Sequence, residues 1–180
     1  MSWKIHKKRH LTSFQVIILG FAGVILFGAL ILMLPISSAQ AIITPFHKAL
    51  FTSTSAVCVT GLVVLDTGSY WSVFGQTVIM FLIQIGGLGV ITTATSVFIL
   101  SGRKISIMQR STMQNAISAP KVGGIVRLMS FILKGTLLIE LIGALFMIPV
   151  FCHDFGLRGI WMSIFHSVSA FCNAGFDLLG

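Results

Sequence analysis

Two stretches of this chain carry the same residues at the same spacing, and those residues suit the handling of a desolvated cation. Phe51 to Leu65 reads FTSTSAVCVTGLVVL, and Phe165 to Leu179 reads FHSVSAFCNAGFDLL. Aligned without a gap, Phe51/Phe165, Ser53/Ser167, Ser55/Ser169, Ala56/Ala170, Cys58/Cys172, Gly61/Gly175 and Leu65/Leu179 coincide, 114 residues apart. An alkali cation that leaves water needs oxygens in place of its hydration shell. Backbone carbonyls supply them, and glycine permits the dihedral angles that turn successive carbonyls toward one axis. The candidate ligands are the carbonyls of Cys58, Val59, Thr60 and Gly61, and of Cys172, Asn173, Ala174 and Gly175. None of these residues is a carboxylate, which argues against divalent selectivity by an acidic ring.

The elements that must position these loops are long and apolar. The 180 residues are 56% hydrophobic and 9% charged, with a mean hydropathy of +1.01, whereas globular chains carry about a quarter charged residues. Phe14 to Leu34 and Trp71 to Leu100 hold no charge, and Ile125 to Phe151 holds Arg127, Lys134 and Glu140. Each run suits a bilayer core of about 30 Å, which predicts an all-α integral membrane protein with three spanning helices. The first run is longer than the ~7–15 residues of a secretory core, so it reads as a span rather than a cleaved signal.

Ten of the twelve Lys and Arg fall in the N-terminal arm or between Arg103 and Lys134, and only Lys48 and Arg158 lie elsewhere. Asp66, Asp154 and Asp177 share the regions of those two. This asymmetry predicts a cytoplasmic N terminus and a cytoplasmic 101–124 connection, with both repeated loops entering from outside. It also turns the +8 charge away from nucleic-acid binding, which would need the basic residues on one folded face.

Thr44-Pro45 reads as a helix start, with Thr44 as N-cap. A helix over 45–57 spans about 20 Å at 1.5 Å per residue, too short to cross, so it should re-enter and stop near Val59, Thr60 and Gly61. Asp66, Gly68, Tyr70 and Trp71 then mark the outer interface. Span two carries Gln84-Ile-Gly-Gly-Leu-Gly89, read as close packing in preference to a hinge. A second short helix over 159–171 repeats the design. Irregular backbone at membrane depth is tolerated where it is buried in protein or lines a wet cavity, so two such breaks at equivalent places point to a permeation site. The inward-running short helices would turn their partly negative C-terminal ends toward the pore centre, and the three outer aspartates would concentrate cations at its mouth.

The organisation is then a basic arm over 1–12 and a first repeat over 13–100, with spans over 13–35 and 71–100, a pore helix over 45–57 and a filter over 58–61. A connection over 101–124 leads to a partial second repeat over 125–180, with a span over 125–151, a pore helix over 159–171 and a filter over 172–175. Other residues receive plainer readings. The three cysteines are small buried thiols. Glu140 is held between helices, and Lys134 snorkels. Cys152-His153-Asp154 are adjacent and do not converge on a metal. His47 and His166 pack or face the interface. A Cys–His hydrolase built on Cys58 or Cys172 lacks an oriented base and an oxyanion site, so no enzyme is expected.

The motifs LMLPIS, ALFTSTSAVCVTGLVVLDTG, FGQTVIMFLIQIGGLG and FHSVSAFCNAGF resemble the Trk/Ktr/HKT superfamily from Leu11 onward, most of all the membrane subunit of bacterial Ktr systems. The resemblance implies four M1–P–M2 units around one pore in a bacterial plasma membrane, of which one and a half are present, so a partial sequence is expected. It implies potassium uptake, with one glycine per loop favouring potassium and a serine in the first loop favouring sodium; Gly61 and Gly175 match the glycines. The alternatives are a sodium-permeable or sodium-coupled transporter of this family, or a membrane assembly subunit without transport. The implied partners are the lipid bilayer, a second copy in a homodimer and a cytoplasmic nucleotide-binding regulatory ring. Potassium is the substrate, and no cofactor is expected in this chain, with nucleotide held by the regulatory partner.

Overall fold

The computed structural model describes residues 13–89, 92–93 and 125–180. The basic arm, the 101–124 connection and most of residues 90–100, the end of the span expected over 71–100, lie outside the described residues. What is described is helical: α1 (Ser13–Leu32), a single 3-10 turn (Pro35–Ser37), α2 (Phe46–Val57), α3 (Val73–Leu88), α4 (Ile125–Phe155) and α5 (Arg158–Phe171). Among the described residues there is no strand, only an isolated antiparallel bridge between Ser38 and Trp71.

Helices α1 and α4 each hold a segment long and apolar enough to cross a membrane, Gln15–Leu32 and Arg127–Phe155. Only 17% of either segment is buried, so neither is the core helix of a soluble globule. Their outer faces leave Phe27, Phe131 and Phe146 at 67%, 73% and 79% exposure, an apolar belt that water would not tolerate. The buried core lies on the inner side, where Leu32, Ala49, Val57, Ile79, Ile83, Met162 and Phe165 meet. Helix α2 packs between α1 and α3, while α5 lies along α4 and touches α3, so α3 joins the two helix pairs.

Several boundaries differ from those the sequence suggests. Helix α4 runs through Pro149 to Phe155, past the expected end at 151. A proline removes one hydrogen bond without ending a helix that apolar surroundings favour. The stop comes instead at Gly156, whose φ of +62° is the left-handed helix-ending conformation. Helix α3 starts at Val73, capped by Ser72 Oγ, which accepts from the Gly75 N–H at 3.1 Å. It ends at Leu88, before Gly89 at φ +83°. Thr44 does not cap α2: the N-cap is Pro45, and the Thr44 hydroxyl pairs with that of Tyr70 at 3.1 Å. Trp71 is no interface anchor, being 1% exposed, and Gly68 is buried under Leu178. Asp66 is exposed, and the Ser69 hydroxyl and backbone N–H beside it hold its carboxyl below the usual carboxylate range.

Candidate ion-binding site

The two repeated loops share one backbone conformation. Val59 and Asn173 both stand in the left-handed region, at φ 56° and 55°, and Gly61 and Gly175 follow at 72° and 71°. The hydrogen bonds match as well. The Val59 N–H donates to Ala56 at 3.3 Å and the Thr60 N–H to Ser55 at 3.0 Å; the Asn173 N–H donates to Ala170 at 3.0 Å and the Ala174 N–H to Ser169 at 2.7 Å. These pairs form a Schellman motif that closes each short helix and consumes its last carbonyls. The stop therefore falls at Val59 and Asn173, two residues before the glycines. Asparagine tolerates a left-handed conformation, whereas for a β-branched valine it is strained.

Once the helix ends are closed, the carbonyls of residues 58–61 and 172–175 accept no hydrogen bond among the described residues. Segments 114 residues apart in sequence are in backbone contact here. A Cβ built on Gly61 would lie 2.6 Å from the Ala174 oxygen and 3.1 Å from the Gly175 Cα, and one on Gly175 would lie 3.3 Å from the Gly61 Cα. The loops thus touch backbone to backbone at their glycines, a contact that only residues without side chains allow.

Paired serines position the short helices. Ser53 Oγ donates to the Ile25 carbonyl at 2.7 Å, tying α2 to α1, and Ser167 Oγ donates to the Glu140 carbonyl at 2.6 Å, tying α5 to α4. Gly28 and Gly143 make room for these hydroxyls: a Cβ on either would lie 2.6 and 2.4 Å from the serine oxygen. Two residues on, Ser55 Oγ pairs with Thr60 Oγ1 at 2.9 Å, and Ser169 Oγ donates to the Phe176 carbonyl at 2.6 Å. The sequence marks these serines as repeated but says nothing of their partners. The Gly-Ala-Leu triplets at 28–30 and 143–145 were the available signal for the spanning helices. Their offset is 115 rather than 114, so an ungapped comparison misses them.

The glycines of α3 act as close-packing positions. A Cβ on Gly86 would come within 2.1 Å of the Val57 carbonyl oxygen, and one on Gly87 within 2.5 Å of Cys172 Sγ. Gly86→Ala is expected to push the end of α2 away and lower the thermal unfolding midpoint of the detergent-solubilised protein by several degrees, since overpacking costs about 1–3 kcal/mol. An unchanged midpoint would show that α2 shifts freely at this point.

The cysteines are not equivalent in environment. Cys172 is half-buried, but Cys58 is exposed, against the expectation of buried thiols. The difference follows from Gly87, which receives only Cys172. His153 and Asp154 pair with each other on the surface at 2.8 Å. His166 packs on Phe151 with ring centroids 4.9 Å apart, and its nitrogens reach the Met162 carbonyl and the Leu178 N–H at 2.8 and 3.3 Å.

The sequence matches the TrkH family of cation transport proteins over residues 3–180, and the chain belongs to that family. It is 47% identical over 174 residues to the potassium/sodium uptake protein NtpJ of Enterococcus hirae, an alignment that covers 96% of this chain and 39% of the relative. It is 44% identical to the Ktr system potassium uptake protein B of Bacillus subtilis, with 97% and 39% covered. For the protein of the same name from Vibrio alginolyticus the identity is 37%, with 91% and 36% covered. The chain thus spans about two-fifths of the length of these relatives. All three are transport proteins, and none is an enzyme by its name.

Proposed function

We propose that the full-length protein takes up potassium across the plasma membrane through a pore, and that residues 58–61 and 172–175 supply two segments of its selectivity filter. The observation that carries this reading is the contact of two conformationally matched loops whose carbonyls are free, at glycines 114 residues apart in sequence. Carbonyls in that state are the ligands a desolvated alkali cation requires. The 12 residues of α2 and 14 of α5 span about 18 and 21 Å at 1.5 Å per residue, less than a bilayer core, which supports reading both as re-entrant pore helices. In this reading the N terminus is cytoplasmic, the loops face outward, and the ion is substrate. The relatives' membership of Ktr systems supports partnership with other subunits; a homodimer on a nucleotide-binding ring is the arrangement we propose.

A sodium-permeable variant of the same function is favoured by one fact, the potassium/sodium name of the Enterococcus relative. Flux separates the two. In proteoliposomes holding the full-length protein, potassium uptake is expected to exceed sodium uptake, and Gly61→Ser to raise sodium relative to potassium. Selectivity that is unchanged by Gly61→Ser would refute the filter assignment.

A further inference from the structure

Behind the second loop, three polar side chains from three different elements form a line across the junction of the two helix pairs. Cys172 Sγ, held against the bare face of Gly87, donates toward Gln84 Oε1 at 3.9 Å. Gln84 and Glu140 line one cavity of about 320 Å³, whose other walls include Met80, Phe81, Leu137, Leu141 and Val168. Glu140 is 6% exposed, and its Oε1 has no hydrogen-bond partner among the described residues; the same holds for Gln84 Nε2. An acceptor and a donor, both buried, thus face the same apolar space. Buried polar atoms in such surroundings are expensive unless they serve one another, and an intramembrane carboxyl marks function more often than packing.

We propose that Gln84 and Glu140 are positioning residues for the second ion-facing loop. With Glu140 ionised, the chemistry has one direction. A thiol donates, the carboxamide accepts at oxygen and donates at nitrogen, and a carboxyl oxygen can only receive that N–H. In this proposal the unpartnered Gln84 Nε2 turns to the unpartnered Glu140 Oε1 across their shared cavity, so that Glu140 orders Gln84 while Gln84 Oε1 holds Cys172, the first residue of the proposed filter segment. Glu140 is itself anchored to the pore helix, because its backbone carbonyl accepts from Ser167. The first loop has no such handle, since Cys58 is exposed. The second loop would then be the stiffer of the two, and its carbonyl cage would owe part of its fixed size to a residue on a neighbouring unit.

This inference rests on the filter reading, and a double-mutant cycle separates the two. The full-length protein would carry Gln84→Leu, Cys172→Ala and both together, with Cys172→Ser as the conservative variant and Glu140→Gln as the isosteric one. The readout is the ratio of KM for sodium to KM for potassium in proteoliposomes, beside the thermal midpoint of each purified variant. Gln84→Leu and Cys172→Ala are each expected to lower the ratio about fivefold, the size of one hydrogen bond. The double variant should be no worse than either single one, and Cys172→Ser should restore most of the ratio. Glu140→Gln should lower the ratio less than Gln84→Leu, because it keeps an acceptor at the same place. Additive effects, or a ratio unmoved by Gln84→Leu while Gly61→Ser changes selectivity, would overturn the inference alone. A ratio indifferent to Gly61→Ser as well would remove the filter reading and this inference with it.

Discussion

Gly61→Ala in the full-length protein is expected to reduce discrimination between potassium and sodium at least about tenfold, and Gly175→Ala only about two- to threefold, a difference of roughly 1 kcal/mol. The two positions share one cost. Both have φ near +70°, where an L-residue is disfavoured by about 1–2 kcal/mol. They differ in what a methyl group would strike. On Gly61 it would lie 2.6 Å from the Ala174 carbonyl oxygen, so that oxygen must move, and it is one of the candidate ion ligands. On Gly175 it would meet the Gly61 Cα at 3.3 Å, a tight contact that displaces no oxygen. A Gly61 side chain therefore spoils both loops, and a Gly175 side chain chiefly its own. Separate KM values for the two ions in proteoliposomes decide the matter. Equal losses, or a greater loss at Gly175, would show that the loop-to-loop contact does not set the ion's surroundings.

That asymmetry cannot be read from the alignment, which presents Gly61 and Gly175 as the same residue twice. What the sequence did make legible is local and repeated: a short polar helix, a cysteine, a glycine, and long apolar runs on either side. A periodic physical demand, closing a short helix and freeing the next carbonyls, imposes the same residue types wherever it occurs. Other features are set by neighbours far away in the chain. Trp71 looks like an interface residue because tryptophan favours interfaces, yet its backbone is bridged to Ser38 and its side chain lies in the buried core. Pro149 looks like a stop, yet one missing hydrogen bond does not end a helix whose surroundings favour it. The repeated serines were visible, but not that Ser53 and Ser167 bond carbonyls on spanning helices, since those helices repeat with a different offset from the loops.

Gln76, one of the residues that join the two helix pairs, gave no signal at all in the sequence, because a lone glutamine has no periodicity and its partners are mostly backbone. Gln76 is 2% exposed on α3. Its Oε1 accepts from Trp161 Nε1 on α5 at 2.8 Å. Its Nε2 donates to the carbonyls of Thr67, Gly68 and Trp71 at 3.3, 3.4 and 3.1 Å, and Arg158 also reaches Gly68 at 3.3 Å. One side chain thus ties the segment that follows the first loop to α5. Gln76→Leu keeps the volume and removes every bond, which leaves a part-buried indole N–H and the carbonyls of Thr67 and Trp71 without partners, while Gly68 keeps Arg158. At about 1–3 kcal/mol for each group left unsatisfied, offset where another donor reaches the carbonyls, the loss should total about 3–5 kcal/mol. Trp161→Phe removes only one of these bonds, so its cost should be about 1 kcal/mol, and it should cost almost nothing further in a Gln76→Leu background. Thermal unfolding of the purified full-length protein, with each single variant and the double, provides the measurement. If Gln76→Leu unfolds within a degree of the parent protein, the junction is held by apolar packing around Phe165 and Ile79 rather than by this glutamine. If it unfolds much earlier while Trp161→Phe does not, the carbonyls of Thr67 and Trp71 are the groups that need it.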